Sequence, residues 1–329
     1  MRAPEFWTKD DPLSRIEAAA LAPLGWAYGA SVQWKAGRAK PYRPSAKVIC
    51  VGNLTAGGSG KTPIAIAIAR LLIERGKRAV FLSRGFGGRA KGPVFADLSR
   101  DSAADLGDEA MLLAAAAPVI VSRDRAAGAR LADAERAEII VMDDGHQNFS
   151  IAKDLSLVVV DAKSGFGNGL ILPAGPLRES VAQGLSRADA VVMVGDGEVP
   201  LGDFLGPVLR ARLVPVDVHR LAGKPVVAFA GIGQPQKFFD TLRLLGARVV
   251  EAHPFGDHHA YSAAQVGRLK RAARNTGAML ITTEKDYVRL TPSAREGIGF
   301  LPVRAGFDDM GATNRLLDRI VSPKLGASP

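Results

Sequence analysis

The sequence predicts an α/β fold: a phosphate-loop domain whose mainly parallel sheet is flanked by helices, followed by a second, smaller α/β domain. Three observations carry this expectation. Val48-Ile49-Cys50-Val51, an apolar run of strand type, opens into the glycine-rich stretch Gly52 to Gly60 and then into Lys61-Thr62, at the head of an amphipathic run from Pro63 to Arg75. Strand-like and helix-like segments then alternate as far as Val194, the pattern of a parallel sheet covered on both faces. Residues 195–208 are rich in Gly, Pro and Asp, and a fresh α/β alternation begins beyond them. The expected division is 1–44, an N-terminal helical segment and basic arm; 45–208, the phosphate-loop domain; and 209–329, the smaller domain contributing to a cleft between the two.

Bulk composition narrows the class. With 329 residues and 47% of them hydrophobic, the chain can bury two cores. Its one cysteine, Cys50, lies in the apolar strand, which leaves no disulfide or cysteine–metal framework and suits a reducing compartment. A net charge of +10 calls for an anionic partner: nucleic acid, a phosphorylated metabolite or an anionic membrane surface. The basic part is N-terminal, because no Asp or Glu stands between Glu17 and Glu74, whereas Lys35, Arg38, Lys40, Arg43 and Lys47 do. Trp7, Trp26 and Trp34 also lie there, not interleaved with basic residues on a strand platform, which argues against nucleic acid. The run from Ile16 to Val32, interrupted by Pro23 and by glycines, is neither a secretory signal nor a ~20-residue apolar span. It suits equally a helix lying in a membrane interface, Trp and Leu downward, and a helix packed on the protein itself.

Each element of the first domain has a chemical reading. Glycines allow successive backbone N–H groups to curl around phosphate oxygens, the following helix offers its positive end, Lys61 adds a mobile cation, and the Thr62 hydroxyl suits Mg²⁺. Pro63 fits a first helical turn. Thr55 stands where the usual Gly-x4-Gly-Lys-Ser/Thr pattern begins with glycine, so Ala56, Gly57, Gly58, Ser59 and Gly60 form the curl. The strand Arg78 to Ser83 runs into Ser83-Arg84-Gly85-Phe86-Gly87-Gly88-Arg89, at the sheet edge where ligands bind, and Arg84 is expected to meet phosphate. Asp108 and Glu109 open an alanine-leucine helix, where first-turn carboxylates cap free N–H groups. A strand from Val119 to Ser122 and a helix from Arg123 to Ala134, carrying Arg125, follow. Ile139 to Met142 then delivers Asp143, the carboxylate expected at the end of a buried strand beside the Mg²⁺ of a phosphate loop. His146 reads as a turn residue. Leu155 to Asp161 is a strand, Gly165 to Glu179 an irregular Gly/Pro loop containing Arg178, and Ala188 to Val194 another strand.

The second half repeats the grammar: strand Lys224 to Ala230, helix Gln236 to Leu245, strand from Arg248, and Ala278 to Asp286 as a strand running into a polar loop. His258 and His259 are adjacent, so their side chains point apart, and no thiolate completes a zinc site. One histidine paired with a carboxylate as a proton relay is the more economical expectation. A helix from Ala312 to Val321 closes the chain, and Ser322 to Pro329 are expected to fray.

Taken together, Gly52-Asn53 through Gly57-Gly58-Ser59-Gly60-Lys61-Thr62-Pro63, Ser83-Arg84-Gly85, Gly107-Asp108-Glu109, Asp143-Asp144-Gly145-x-Gln147, Leu172-Pro-Ala-Gly-Pro-Leu-Arg178-Glu179, Asp257-His258 and Thr282-Thr-Glu-Lys-Asp286 resemble the tetraacyldisaccharide 4′-kinase family over about residues 45–290. The resemblance implies a lipid A biosynthetic kinase that uses ATP and Mg²⁺ to phosphorylate the 4′-hydroxyl of an acylated glucosamine disaccharide 1-phosphate. It implies that Lys61 and Thr62 hold the β/γ-phosphates and Mg²⁺, that Asp143 serves the metal with Asp144 and Gln147 in its shell, and that Asp108 acts on the sugar hydroxyl in concert with His258. Arg84, Arg125 and Arg178 match basic positions of the nucleotide and substrate cleft. Phe86 replaces a tyrosine common in the family, and His146-Gln147-Asn148 replaces Phe-Gln-His. A substrate that stays in the bilayer gives the N-terminal segment a purpose, peripheral attachment at the cytoplasmic face of the inner membrane. The rival class, a nucleotide-switch GTPase or ATPase regulator, calls for an Asn-Lys-x-Asp base-specificity motif, which the sequence lacks.

Overall fold

The computed structural model describes residues 4–9 and 11–321; Ser322 to Pro329 lie outside them. A short turn of 3-10 helix, Glu5–Trp7, leads into α1, Pro12–Arg38. Asp11 caps α1 by accepting from the backbone N–H groups of Leu13 and Ser14, and Pro12 occupies the first position, where no intrahelical bond is lost. The expectation that Pro23 and the glycines interrupt this segment is corrected: α1 is continuous for 27 residues. Gly25 and Gly29 are its contact surface. A Cβ at Gly25 would stand 2.8 Å from the Ile171 carbonyl oxygen, and one at Gly29 2.9 Å from Ile171 Cδ1, so the glycines let α1 lie directly on the Gly/Pro loop.

From there the chain runs through β1 (Lys47–Gly52), α2 (Lys61–Glu74), β2 (Ala79–Ser83), β3 (Val94–Phe95), α3 (Ala103–Leu106), α4 (Asp108–Ala114), β4 (Val119–Val121), α5 (Arg125–Ala134), β5 (Ile139–Asp143), β6 (Leu155–Asp161), α6 (Val181–Leu185), β7 (Ala190–Val194) and β8 (Val208–Pro215). A nine-stranded sheet has the order β13-β8-β7-β6-β1-β5-β2-β4-β3, with β13 (Val303–Phe307) returning from the chain's end. Neighbours pair in parallel except at the two edges, where β3 and β13 run antiparallel. β2, β5 and β7 are buried along their whole length, which is why they read as unbroken apolar runs. Ile49 and Val51 of β1 face Ile64, Ile68 and Leu72 of α2, and Val48 and Cys50 face the opposite core with Ile140 and Met142.

The second sheet follows in the order β10-β9-β11-β12, all parallel. It comprises β9 (Pro225–Ala230), α7 (Pro235–Leu244), β10 (Arg248–Pro254), α8 (Ala263–Asn275), β11 (Met279–Thr283), α9 (Glu284–Arg289), α10 (Pro292–Arg295) and β12 (Ile298–Leu301). After β13 the chain ends in α11 (Met310–Val321). The boundary expected at 208/209 is therefore corrected. Strand β8 joins the large sheet beside β7, burying Leu209 and Ala211, and β13 and α11 return to it with Phe307, Leu316 and Leu317. The small sheet is an insertion between β8 and β13, spanning Pro225 to Leu301, so the large unit is discontinuous in sequence.

Candidate active site

The phosphate-loop cluster forms where β1 and β5 end side by side, Val51 opposite Asp143. Gly60 takes a left-handed φ of 84° as the N-cap of α2, a conformation that costs glycine nothing. Lys61 is buried in the first turn, 3.7 Å from Asp144 Oδ1, and the Thr62 hydroxyl donates to Asp143 Oδ2 at 2.8 Å. Thr55 bridges to Leu177, and Ala56 N–H donates to the Pro176 carbonyl at 2.7 Å, so the Gly/Pro loop braces one side of the phosphate loop. Gly57 and Gly58 face open space. Ser59 Oγ and Asp143 Oδ1 are buried without a hydrogen-bond partner.

The charges around these atoms are unbalanced in a telling way. Burial, reinforced by the nearby Glu109, pushes the Asp143 carboxyl up to about 7 against the pull of Lys61. Burial also opposes the charge of Asp144, but Lys61 and Arg178 outweigh it and hold that carboxyl at about 2. Arg178 Nη1 lies 2.7 Å from Asp144 Oδ1. Gln147 donates to the Asn53 carbonyl and to Glu179, both at 2.9 Å, and so ties the loop after β5 to the loop after β1. Arg125 is buried and donates to the Ser122 carbonyl at 2.8 Å, but its Nε has no partner. Burial first, then the proximity of Arg84, brings it down to about 10. Two neighbouring cations, an unpaired Ser59 hydroxyl and a carboxylate with a free buried oxygen make a donor set that fits a polyphosphate with a divalent cation, which proteins commonly hold through one or two carboxylates plus phosphate oxygens. His146 takes no part in this. Its Nε2 pairs with the Gly184 carbonyl at 2.8 Å, and burial keeps the ring near 4. It packs so closely on Gly52 that a Cβ there would stand 2.6 Å from its own.

A second polar cluster joins the two sheets. Asp108 opens α4, and its Oδ1 accepts from Glu109 N–H at 3.0 Å, so the capping role expected of it is present. Its Oδ2 faces the small sheet and meets His258 Nδ1 at 3.1 Å, Arg289 Nε at 2.8 Å, Arg289 Nη2, and Lys285 Nζ at 3.9 Å. Burial alone would raise the Asp108 carboxyl, but hydrogen bonding to His258 and the charges of Lys285 and Arg289 hold it well below the usual carboxylate range. His258 is fixed in a left-handed backbone conformation (φ 56°), with its N–H on Asp257 Oδ1 at 3.0 Å. The Phe86 ring stands edge-on to it at 5.8 Å. His259 turns the other way, to Gln265 and the rings of Phe255 and Tyr261. Among the described residues no cluster of three or more His, Cys, Asp or Glu side chains is arranged to hold a metal.

Sequence reasoning singled out Thr282 to Asp286 but missed what that motif supports. Asp286 is fully buried and accepts from Gly231 N–H (3.0 Å), Thr283 Oγ1 (2.6 Å) and Tyr261 Oη (2.9 Å). One helical turn on, Arg289 donates through Nη1 to Asp286 (2.8 Å) and to the Gly231 carbonyl (2.6 Å). The i, i+3 spacing of an acidic and a basic residue on α9 was the available signal. Lys285 reaches Glu109 at 3.4 Å, and Lys237 reaches Asp161 at 3.1 Å, adding further links between the two sheets.

On the outer face of α1, Trp26 and Trp34 are 76% and 59% exposed, together with Leu13, Ile16 and Leu24. Among the described residues no helix is long and apolar enough to cross a membrane. The inner face of α1 packs on the Gly/Pro loop, and Trp7 Nε1 donates to the Pro173 carbonyl at 3.1 Å, so the packing expected of the segment is present while its other face points outward.

The signature of the tetraacyldisaccharide-1-P 4′-kinase family matches residues 17–322. A tetraacyldisaccharide 4′-kinase of Rhodospirillum rubrum is 48% identical over 333 residues, covering 99% of each chain. One from Paramagnetospirillum magneticum is 50% identical over 325 residues, covering 97% of this chain and 99% of its own. Among solved structures, an "apo" form of LpxK from Aquifex aeolicus in complex with ATP superposes with a TM-score of 0.75 at 29% identity, covering 92% of this chain and 99% of that one.

Proposed function

The chain belongs to the tetraacyldisaccharide-1-P 4′-kinase family, and from that premise we infer that it transfers the γ-phosphate of ATP to the 4′-hydroxyl of an acylated glucosamine disaccharide 1-phosphate. The support for the assignment of residues is that Glu109, the neighbour of Asp108 in the first turn of α4, lies near enough to Asp143 to raise its carboxyl, so the Thr62–Asp143 pair and the Asp108–His258 pair are close in space.

The loop from Thr55 to Gly60 and Lys61 cradle the β/γ-phosphates, with Ser59 Oγ free to donate. Thr62, Asp143 and Asp144 would hold Mg²⁺, which when bound neutralises charge on the transferring phosphoryl group. Arg178 anchors Asp144 and Gln147, and Arg84 and Arg125 supply positive potential to the phosphates. On the acceptor side, a carboxylate held as acidic as Asp108 is a poor proton acceptor. Asp108 therefore orients the imidazole through Nδ1, and His258 Nε2 receives the proton of the sugar hydroxyl. Because His258 comes from the small sheet, the acceptor site is complete only while that sheet stands against the large one.

The exposed face of α1 and the basic, acid-free arm that follows support peripheral attachment to a bilayer, here the cytoplasmic face of the inner membrane, where an acylated disaccharide resides. The decisive experiment is transfer of labelled γ-phosphate from ATP to an acylated glucosamine disaccharide 1-phosphate in mixed micelles containing Mg²⁺. No transfer by the purified wild-type protein overturns the assignment.

A further inference from the structure

We propose that Arg289 is a positioning residue of the kinase reaction, assembling the acceptor pair from its two halves, an inference that rests on the acceptor site proposed above. The guanidinium spans the junction between the sheets. Nε and Nη2 hold Asp108 Oδ2 of the large unit, Nη1 holds Asp286 Oδ1 and the Gly231 carbonyl of the small one, and Nη2 also faces His258 Nδ1 at 3.4 Å.

This arrangement separates two roles an active-site arginine can have. Four of the five N–H groups of the Arg289 guanidinium meet protein oxygens, the remaining Nη2 hydrogen lies toward His258 Nδ1, and the side chain is buried. Four of its donors are thus committed to oxygens of the protein, which distinguishes it from Arg125, whose buried Nε has no partner. Its anchor is held from the small-sheet side alone: Asp286 is fully buried and accepts from Gly231, Thr283 and Tyr261, so Arg289 is tied there by bonds that do not involve Asp108. The direct His258–Asp108 contact is one bond between a loop residue and a helix start. Arg289 makes the same junction with a rigid planar fork bonded to both sides. It therefore fixes where the Asp108 carboxylate stands relative to the imidazole, and acts on the substrate only through that pair.

A lysine keeps the charge but cannot reach Asp108, Asp286 and the Gly231 carbonyl at once. The test measures phosphoryl transfer and ATP binding for wild type, Arg289→Ala, Arg289→Lys, Asp108→Asn and the Asp108→Asn/Arg289→Ala double variant, with melting curves in ATP and Mg²⁺ to establish folding. Misplacing a catalytic group by an ångström costs on the order of 10²-fold in rate, and that loss in kcat is expected for Arg289→Ala, with KM for ATP within about twofold. Arg289→Lys should fall nearly as far. Guanidinium ion at tens of millimolar, against a sodium chloride control, should restore roughly tenfold or more to Arg289→Ala. The double variant should be no slower than Asp108→Asn, because the two residues act as one unit. Retention of kcat within about threefold in Arg289→Ala, full activity in Arg289→Lys, or losses that multiply in the double variant would each overturn the proposal. Should Arg289→Ala not fold, Arg289→Lys and its pairing with Asp108→Asn decide by the same criteria. Wild-type transfer is scored separately, so failure of the assignment and failure of the Arg289 role are distinct results.

Discussion

Asp108 and His258 stand 3.1 Å apart although one opens a helix of the large unit and the other sits in a loop of the inserted small sheet. In the proposed reaction the two share one step. Asp108→Asn and His258→Ala should each lower kcat by about 10²–10⁴-fold, the range a positioned acid or base supplies, while fluorescent ATP analogues still bind with near wild-type affinity. Full transfer activity in Asp108→Asn would reduce that residue to a helix cap.

The donor half should respond differently. Lys61→Ala removes the buried cation beside Asp144, and Thr62→Val removes the hydroxyl that holds Asp143 Oδ2. Both should weaken MgATP binding by about tenfold or more, roughly 1.4 kcal/mol, with Thr62→Val losing chiefly the Mg²⁺-dependent part of the affinity. Titration of nucleotide with and without Mg²⁺ reads this directly. A Thr62→Val protein with an unchanged Mg²⁺ requirement removes that residue from the metal site.

The outward face of α1 makes a prediction independent of chemistry. Replacing exposed Trp26 and Trp34 together by serine should lower partitioning to anionic phosphatidylglycerol vesicles by about tenfold or more, from the apolar area no longer buried in the interface. Activity on a substrate dispersed in detergent should change little. Equal co-sedimentation of both proteins with vesicles would rule out this face as the contact.

The inward face of the same helix predicts a stability defect. A side chain at Gly25 meets the Ile171 carbonyl at 2.8 Å, so Gly25→Val must push α1 off the Gly/Pro loop, at a cost of about 1–3 kcal/mol. That loop also carries Arg178, which holds Asp144, so ATP affinity should fall together with the melting temperature. A drop in one without the other separates the helix from the nucleotide site.

Acid stability reports the Asp108 cluster. Its native pKa is depressed from the ordinary 3.8, so in acid the unfolded chain binds the extra proton; the stabilisation is complete above the ordinary value and is lost as the pH falls through the native one. Urea midpoints of the wild type should decline from about pH 4 to pH 2, and those of Asp108→Asn should decline less steeply. Parallel curves for the two proteins would show that the cluster does not couple to folding.

How much of this was legible beforehand depended on how local each signal was. The phosphate loop, Asp143 and the strand alternation were readable because a turn, its glycines and a buried strand are encoded within a few adjacent residues. The small sheet's status as an insertion was not. Val208 to Pro215 follows a Gly/Pro-rich stretch and looks like a new beginning, and nothing in its composition says that it pairs with Ala190 to Val194. Pro23, Gly25 and Gly29 were read as interruptions because breakers and close-contact residues are the same amino acids. Arg289 was harder for a different reason: its i, i+3 spacing from Asp286 is local, but its key partner, Asp108, lies 181 residues away.

The Gly/Pro loop has one more consequence. At Ile171 it carries α1, at Pro176 and Leu177 it holds Ala56 and Thr55, and at Arg178 it grips Asp144. One segment thus braces the helix, the phosphate loop and the carboxylate beside Lys61, so a displacement of α1 from Ile171 is passed directly to the loop that meets the nucleotide in the proposed reaction.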